Sequence, residues 1–231
     1  FTAPPENNEA WSTDYNLFVV PADGGAPQRI TDNPAADNGP RFSPDGKKVA
    51  FTTARTTYFH EPDSIVGFMR FNRPGSVKNA KTFQKAASKI QFTFNWAYSD
   101  AKKTSFYLSG AYPQRAQGTS PDFPLMGTGK YDWVDFDPKS FTMKTLAFDD
   151  HPHTTNQPVM VSWNNKVAKD WASADGQWGF GPFYRSDLIE DKLLDAVAGG
   201  NKVDLAQMVQ AMEESATQDI RGVKLLPTVF D

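Results

Sequence analysis

The sequence lacks several features that would have narrowed its chemistry. It contains no cysteine, which excludes disulfide bonds and thiol catalysis but leaves the cellular compartment open. No apolar run approaches the roughly 18 residues that a membrane helix needs. The net charge is −3 and there is no basic tract, which argues against nucleic acid as a partner. No sequence period repeats along the chain, which excludes a solenoid or a complete propeller.

Common metal and hydrolase motifs are absent as well. The three histidines show no ligand spacing that would indicate zinc. The run DDHPH at residues 149–153 suggests a metal site, but Pro152 and the loop context favour a solvated turn. Ser43 lies in SPDG rather than in a G-x-S-x-G elbow, which argues against that class of serine hydrolase.

What the chain does contain is enough material for a large core. Its 231 residues are 39% hydrophobic and 13% aromatic, with 18 Phe and 6 Trp. This suffices for one large domain, or for a domain with a fragment of another. The chain begins at Phe1 without a methionine or a signal peptide, so we expect a processed chain or a fragment.

The first part of the chain has the pattern of a small β-meander. Residues 1–13 are polar and predict a loose entry segment. NLFVV at 16–20 predicts a strand, ADGG a turn, and PQRIT at 27–31 a returning strand. The turn PDG and the strand KKVAFTT at 47–53 follow.

From Arg55 onwards the pattern changes to alternating strands and helices. In one predicted helix, Val77, Ala80, Phe83, Ala87 and Ile90 share a face. The predicted strands are 65–71, 91–100 and 104–110, the last two paired through SDAKK, and the predicted helices are 77–90, 186–200 and 204–216. Asp204 and Gln207 form a capping box at the start of the last helix, and residues 111–160 predict a long path with few strands.

The phrases LFVVPADGG, PQRIT and PRFSPDGKKVAFTT resemble one blade of a TolB-type or dipeptidyl-peptidase-type β-propeller. The alternative is a generic hairpin with a DG turn. A propeller closes only with about 4–8 blades, so a single blade at residues 16–53 would leave open edges. We therefore expect that segment to be poorly ordered, or to pair opportunistically.

Six later phrases, in order, resemble the later part of the β-subunit of the penicillin acylase family, which are N-terminal-nucleophile hydrolases. The phrases are FNWAYSD (94–100), SGAYPQR (109–115), GTGKYDW (127–133), SWNNK (162–166), FYR (183–185) and TQDIRG (217–222). The resemblance implies an α+β chain. Residues 54–231 would be a fragment of an αββα-type hydrolase, and residues 1–53 a blade-like meander before it.

The resemblance also implies a reaction and its residues. Family members hydrolyse the amide between an acyl group and an amine, using an N-terminal serine whose own α-amine is the base. Asn164, the first asparagine of WNN, would donate to the oxyanion, and Arg185 would orient groups around the nucleophile. The alternatives are that Asn164 satisfies a buried loop backbone and that Arg185 is an ordinary arginine near a helix start. Phe94 would line the acyl pocket, or belong to the core.

A structural calcium ion is implied too, while no cofactor is implied for catalysis. The matching ligands are the side chain of Asp175 and the backbone carbonyl of Pro121, both of which supply the oxygen that calcium prefers. The other family ligands lie upstream of the matching segment, so we expect an empty or weak site. Asp175 can equally be an exposed loop acid.

The nucleophile is missing from the place where the family carries it. Phe1 stands at the N-terminus, and the stretch that would carry the second oxyanion donor lies before Arg55. We therefore expect the chain to be inactive alone and to need an upstream part or an α-subunit as its partner. The expected substrate is a small acyl amide. Because both resembled families are mostly exported, a periplasmic or extracellular location is expected by analogy.

The phrase DGKKVAFTT at 45–53 fits either family, so two pieces are predicted to meet between Asp45 and Arg55. A gene fusion, an engineered joint and a mis-assembled sequence all remain open, as does a divergent acylase with a blade-like start. The alternative function is a non-catalytic binding or accessory module built on propeller-type strands.

Overall fold

The computed structural model describes residues 2–3, 16–20, 23–31, 55–120, 129–169, 171 and 186–230. These residues combine helices with two small antiparallel sheets, which confirms the mixed helix and strand content. The αββα arrangement stays a prediction. No helix within these ranges is long and apolar enough to cross a membrane.

The first sheet contains β1 (Thr2–Ala3), β2 (Asn16–Val19) and β3 (Gln28–Arg29), in that order and antiparallel. Leu17 of β2 is only 2% exposed. Strands were predicted at 16–20 and 27–31, and both are confirmed. The strand predicted at 47–53 lies outside the described residues, so the blade and the division of the chain at residue 53 stay predictions.

The second sheet contains β4 (Asn95–Ser99), β5 (Thr104–Leu108) and β6 (His153–Thr155), again antiparallel. The predicted pairing of the first two strands is confirmed. In the turn between them, Asp100 Oδ1 accepts backbone N–H bonds from Lys102 and Lys103, both at 2.7 Å. These bonds, with one from the Tyr98 hydroxyl that contributes most, lower the pKa of Asp100.

The prediction of a strand at 65–71 is wrong, because these residues form helix α1 (Ile65–Asn72). Gly67, Phe68 and Phe71 have the helical spacing of one face, and Phe71 contacts both Phe83 and Trp96 at ring-centroid distances of 5.6 and 5.0 Å. A short apolar run has no reliable period of its own, so the contacts of this face decide its conformation.

Helix α2 (Ala80–Ala87) confirms the helix predicted within 77–90. Its start is fixed by Asn79, whose side chain accepts from Thr82 N at 3.0 Å while Thr82 Oγ1 accepts from Asn79 N at 3.0 Å. Phe83 then stacks on Tyr98 of β4 at 5.1 Å between ring centroids. The buried face of α2 therefore lies against the β4–β5 hairpin.

The C-terminal helices also confirm the two that were predicted. They are α3 (Asp187–Val197), α4 (Leu205–Ala216), and the short α5 (Ile220–Lys224) and α6 (Leu226–Phe230). The predicted capping box forms, with Asp204 Oδ1 accepting from Gln207 N at 2.8 Å. Helices α3 and α4 share a buried cluster with the loop that follows β6, made by Val159, Ile189, Leu193 and Ala211.

The solvated turn predicted at DDHPH is wrong for its central histidine, because His151 is only 8% exposed. Its ring stacks on Tyr107 with 5.5 Å between centroids and 10° between planes. Its Nδ1 lies 2.9 Å from the carbonyl of Leu108, which accepts the hydrogen bond. The rings of Tyr107, Tyr112 and Trp171 surround this residue, and burial lowers the pKa of His151.

Replacing Gly67 with alanine is expected to destabilise the chain by about 1–3 kcal/mol, because overpacking forces neighbours to shift. An added Cβ would collide with Cγ1 of Ile90 and meet the Ala86 carbonyl at 3.0 Å. Urea unfolding measures the effect. Gly222→Ala in α5 is the matched control, since its Cβ would meet nothing closer than 3.7 Å. Equal stability of the two variants would contradict the packing argument.

Acidification is expected to weaken the fold through His151. Its folded pKa is depressed, so the unfolded chain binds the proton more readily, and stability falls as pH drops below the ordinary histidine value of about 6.5. His151→Phe keeps the stacked ring and should flatten the fall between about pH 7 and pH 5. The exposed His153 provides the control substitution, and urea midpoints against pH give the result. An unchanged slope in His151→Phe would refute this account.

Candidate active site

The loop that carries Asn164 follows β6 and is fixed at its beginning. Asn156 N donates to the Thr104 carbonyl at 2.9 Å, and Thr104 Oγ1 donates to the Gln157 carbonyl at 3.1 Å. Val159 then enters the cluster shared with α3 and α4. The loop is thereby held between the β4–β5 hairpin and the C-terminal helices.

The two asparagines of the WNN motif have different surroundings. Asn165 is 8% exposed; its Oδ1 accepts from Trp163 N at 2.9 Å and its Nδ2 donates to the Lys166 carbonyl at 3.4 Å. The alternative to a catalytic role for Asn164 is that its side chain satisfies the loop backbone. The structure gives that role to Asn165 instead.

Asn164 itself is exposed and has a φ of 54°, in the left-handed region that asparagine tolerates better than most residues. Its side chain makes no hydrogen bond within the described part of the chain. A carboxamide can donate two N–H bonds without titrating. Asn164 therefore presents an uncommitted donor on a backbone that its neighbour holds in place.

Asn164 lines a groove of about 1280 Å³ that lies between this loop and the C-terminal helices. The apolar lining includes Val161, Trp163, Ile189, Leu193, Val197, Met208 and Met212. Lys102, Lys103 and Lys202 also line it, and Asp100 is the one carboxylate among the described lining residues. The groove thus combines a mainly apolar surface with a cationic border, and it is large enough for a small organic molecule.

Phe94 does not line the groove. It is 48% exposed, which does not fit the alternative that it is plain core, and its ring meets Trp96 edge-on at 5.8 Å. Its neighbour Asn95 reaches the Asn164 loop, because Asn95 Nδ2 donates to Ser162 Oγ at 2.9 Å. The role of Phe94 in an acyl pocket stays a prediction.

Three of the residues predicted for the site, Arg185, Asp175 and Pro121, lie outside the described residues. Their roles in orientation and in calcium binding therefore stay predictions. Within the residues that are described, no group of three or more His, Asp or Glu side chains could hold a metal ion.

Sequence reasoning missed Asn95 and Ser162. Both lie inside the phrases FNWAYSD and SWNNK, in which the sequence predicts roles only for Phe94 and Asn164. Their hydrogen bond joins positions 67 residues apart, and no local pattern signals such a contact.

Comparison with known proteins shows what this chain is similar to. The sequence profile of the family described as penicillin amidase matches residues 19–230. Penicillin G acylase of Escherichia coli is 30% identical over 173 residues, which are 71% of this chain and 18% of that protein. The structure of a thermostable penicillin G acylase from Alcaligenes faecalis aligns with a TM-score of 0.58 and 17% identity, over 93% of this chain and 37% of that one.

The structural likeness shows that this chain shares the fold of the corresponding part of that acylase. The chain belongs to the penicillin amidase family, also called the penicillin acylase family. It spans less than a fifth of the length of the curated relative. The family match includes residues 19–53, which are most of the segment that resembles a propeller blade.

The two asparagines are expected to differ in their effect on stability. Asn165→Ala removes the buried acceptor of Trp163 N–H and should lower the free energy of unfolding by about 1–3 kcal/mol. Asn164→Gly should change it by no more than about 0.5 kcal/mol, because glycine adopts positive φ freely and no described hydrogen bond is lost. Urea unfolding of both variants tests this. A larger loss for Asn164→Gly would reverse the assignment of roles.

Proposed function

We propose that this chain is part of an amidohydrolase of the penicillin acylase type, in which Asn164 donates a hydrogen bond to the oxyanion of the tetrahedral intermediate. The observation that supports this most directly is the exposed Asn164 carboxamide, which lines a groove and makes no side-chain hydrogen bond among the described residues. It stands in the SWNNK phrase of a chain that belongs to the family.

The reaction needs such a donor while the tetrahedral intermediate carries its negative charge. A serine hydroxyl attacks the amide carbonyl, its proton passes to the serine's own α-amine, and the carbonyl oxygen becomes negatively charged. When the C–N bond breaks, the proton goes to the leaving amine and the acyl group stays on the serine as an ester, which water then hydrolyses. A donor fixed in advance stabilises the charge without reorganising, and a neutral amide does so at any physiological pH. The Asn165 bonds hold the backbone on either side of Asn164.

The remaining parts of the site are assigned to other regions of the protein. The chain matches 18% of the curated relative, so we assign the serine and the second oxyanion donor to an upstream part or an α-subunit. The 231 residues alone are then inactive. Arg185 orients groups at the nucleophile, Phe94 borders a part of the acyl pocket that lies outside the groove, and Asp175 and Pro121 contribute to a calcium site. The protein acts in the periplasm or outside the cell.

The surroundings of Asn164 suit an acyl amide of modest size. The groove is mainly apolar, with Trp163 and Val161 beside Asn164, and can receive an apolar acyl group. The location of the amide carbonyl is set by the donor, since an oxyanion must lie about 2.7–3.1 Å from the N–H that stabilises it.

Hydrolysis of a phenylacetyl anilide tests the proposal. The 231-residue chain alone should show no turnover, and supplying the upstream part should create it. In that assembled enzyme, Asn164→Ala should lower kcat about 10²–10³-fold, the usual effect of losing one oxyanion donor.

Asn156→Ala is the matched control, because Asn156 lines the same groove and also has a positive φ, 62°. Its kcat should stay within about threefold of the parent. Turnover by the chain alone would overturn the assignment of the serine elsewhere. An unchanged rate in Asn164→Ala would overturn the donor role, and no activity in any assembly would favour the binding-module alternative.

A further inference from the structure

We infer that Asn95 and Ser162 are positioning residues for Asn164: the hydrogen bond between them ties the loop that carries the oxyanion donor to strand β4. This inference rests on the proposed function. It assigns a role to Asn95, which does not line the groove, and to Ser162, which does.

The tie lies close to the donor along the chain. Asn95 Nδ2 donates to Ser162 Oγ at 2.9 Å, and Ser162 is two residues before Asn164. The residue between them, Trp163, has its N–H bonded to Asn165 Oδ1 at 2.9 Å. Bonds on either side of Asn164 therefore fix the direction in which the loop presents it.

At the other end of this hydrogen bond, Asn95 lies in a strand that is held in place on both sides. Asn95 pairs with Leu108 in the β4–β5 register, and Leu108 is completely buried. The two neighbours of Asn95 are held by one hydroxyl, since Phe94 N and Trp96 Nε1 donate to Ser109 Oγ at 3.3 and 2.9 Å. A strand held in this way is a firm attachment point for the Asn164 loop. A second loop would not hold it in one position.

The other described hydrogen bonds between this loop and the hairpin lie further from the donor. They join Asn156 and Gln157 to Thr104, seven or more residues before Asn164. The Asn95–Ser162 bond is thus the hairpin contact nearest to Asn164 among the described residues. Losing it would leave Ser162 and the adjoining backbone without their attachment to the sheet.

A purely structural role does not explain the choice of asparagine at position 95. Its Oδ1 is buried and has no hydrogen-bond partner in the described structure. Exchanging the amide oxygen and nitrogen would leave the other atom unpaired instead, so the cost does not depend on the assignment. An apolar side chain would avoid that cost but could not hold Ser162. The retained carboxamide is explained by the tie that it makes.

The consequence for catalysis is a selective loss of rate. A displacement of about 1 Å in a group that stabilises the transition state can lower the rate about 10²-fold. Ground-state binding depends on the groove as a whole and should change little. The expected signature is therefore a fall in kcat with KM nearly constant.

The test uses the assembled enzyme and the phenylacetyl anilide. Asn95→Leu and Ser162→Ala should each lower kcat about 10- to 100-fold with KM within about threefold. Ser162→Thr keeps the hydroxyl and should recover most of the rate. The matched control is Asn72→Leu on α1, which removes an asparagine that donates to the Phe68 carbonyl at 2.9 Å away from the loop.

A double-variant cycle separates positioning from folding. If Asn95 acts only through Asn164, then Asn95→Leu should cause no further loss of kcat in an Asn164→Ala enzyme. Full additivity of the two losses would overturn the inference. So would normal kcat in Ser162→Ala, an exposed position at which substitution should leave the fold intact. If Asn164→Ala alone has no effect, the proposed function fails. If it has its full effect while Asn95→Leu and Ser162→Ala have none, only this inference fails.

Discussion

Strand β4 pairs with β5 over all five residues, from Asn95–Leu108 to Ser99–Thr104, and helix α2, strand β6 and the Asn164 loop all attach to this hairpin. Helix α2 covers one part of it through Gln84, a 6% exposed side chain that donates to Ser105 Oγ at 2.9 Å and to the Thr154 carbonyl at 3.1 Å. Strand β6 continues the sheet beyond β5. The loop that carries Asn164 begins after this added strand and is hydrogen-bonded to the hairpin at Thr104 and at Asn95.

Three asparagines of the candidate site differ in burial and in the hydrogen bonds that their side-chain carboxamides make. Asn165 is buried and uses both ends of its carboxamide on the loop backbone. Asn95 uses one end to hold Ser162 and leaves the other unpaired. Asn164 is exposed beside the groove and uses neither end among the described residues. A carboxamide without other hydrogen bonds is available to donate to a charge that forms during a reaction.

Family membership and local geometry support the functional proposal in different ways. Membership follows from a match over most of the chain and concerns the class of reaction. The geometry concerns one donor and its support, in a chain that covers 18% of the curated relative. The groove adds a mainly apolar surface with lysines at its border, which suits an acyl group better than a highly charged ligand. Neither the match nor the groove would by itself single out Asn164.

The sequence alone determined the features that depend on near neighbours in the chain. The capping box at Asp204, the helix within 77–90 and the β4–β5 hairpin were predictable because caps, periodicity and turns act over a few residues. The SWNNK phrase likewise directed attention to Asn164. Tertiary structure decided the rest. Residues 65–71 are helical, His151 is buried against Tyr107, and Asn95 is hydrogen-bonded to Ser162. Each of these outcomes depends on packing or hydrogen bonds between segments far apart in sequence, which no local pattern encodes.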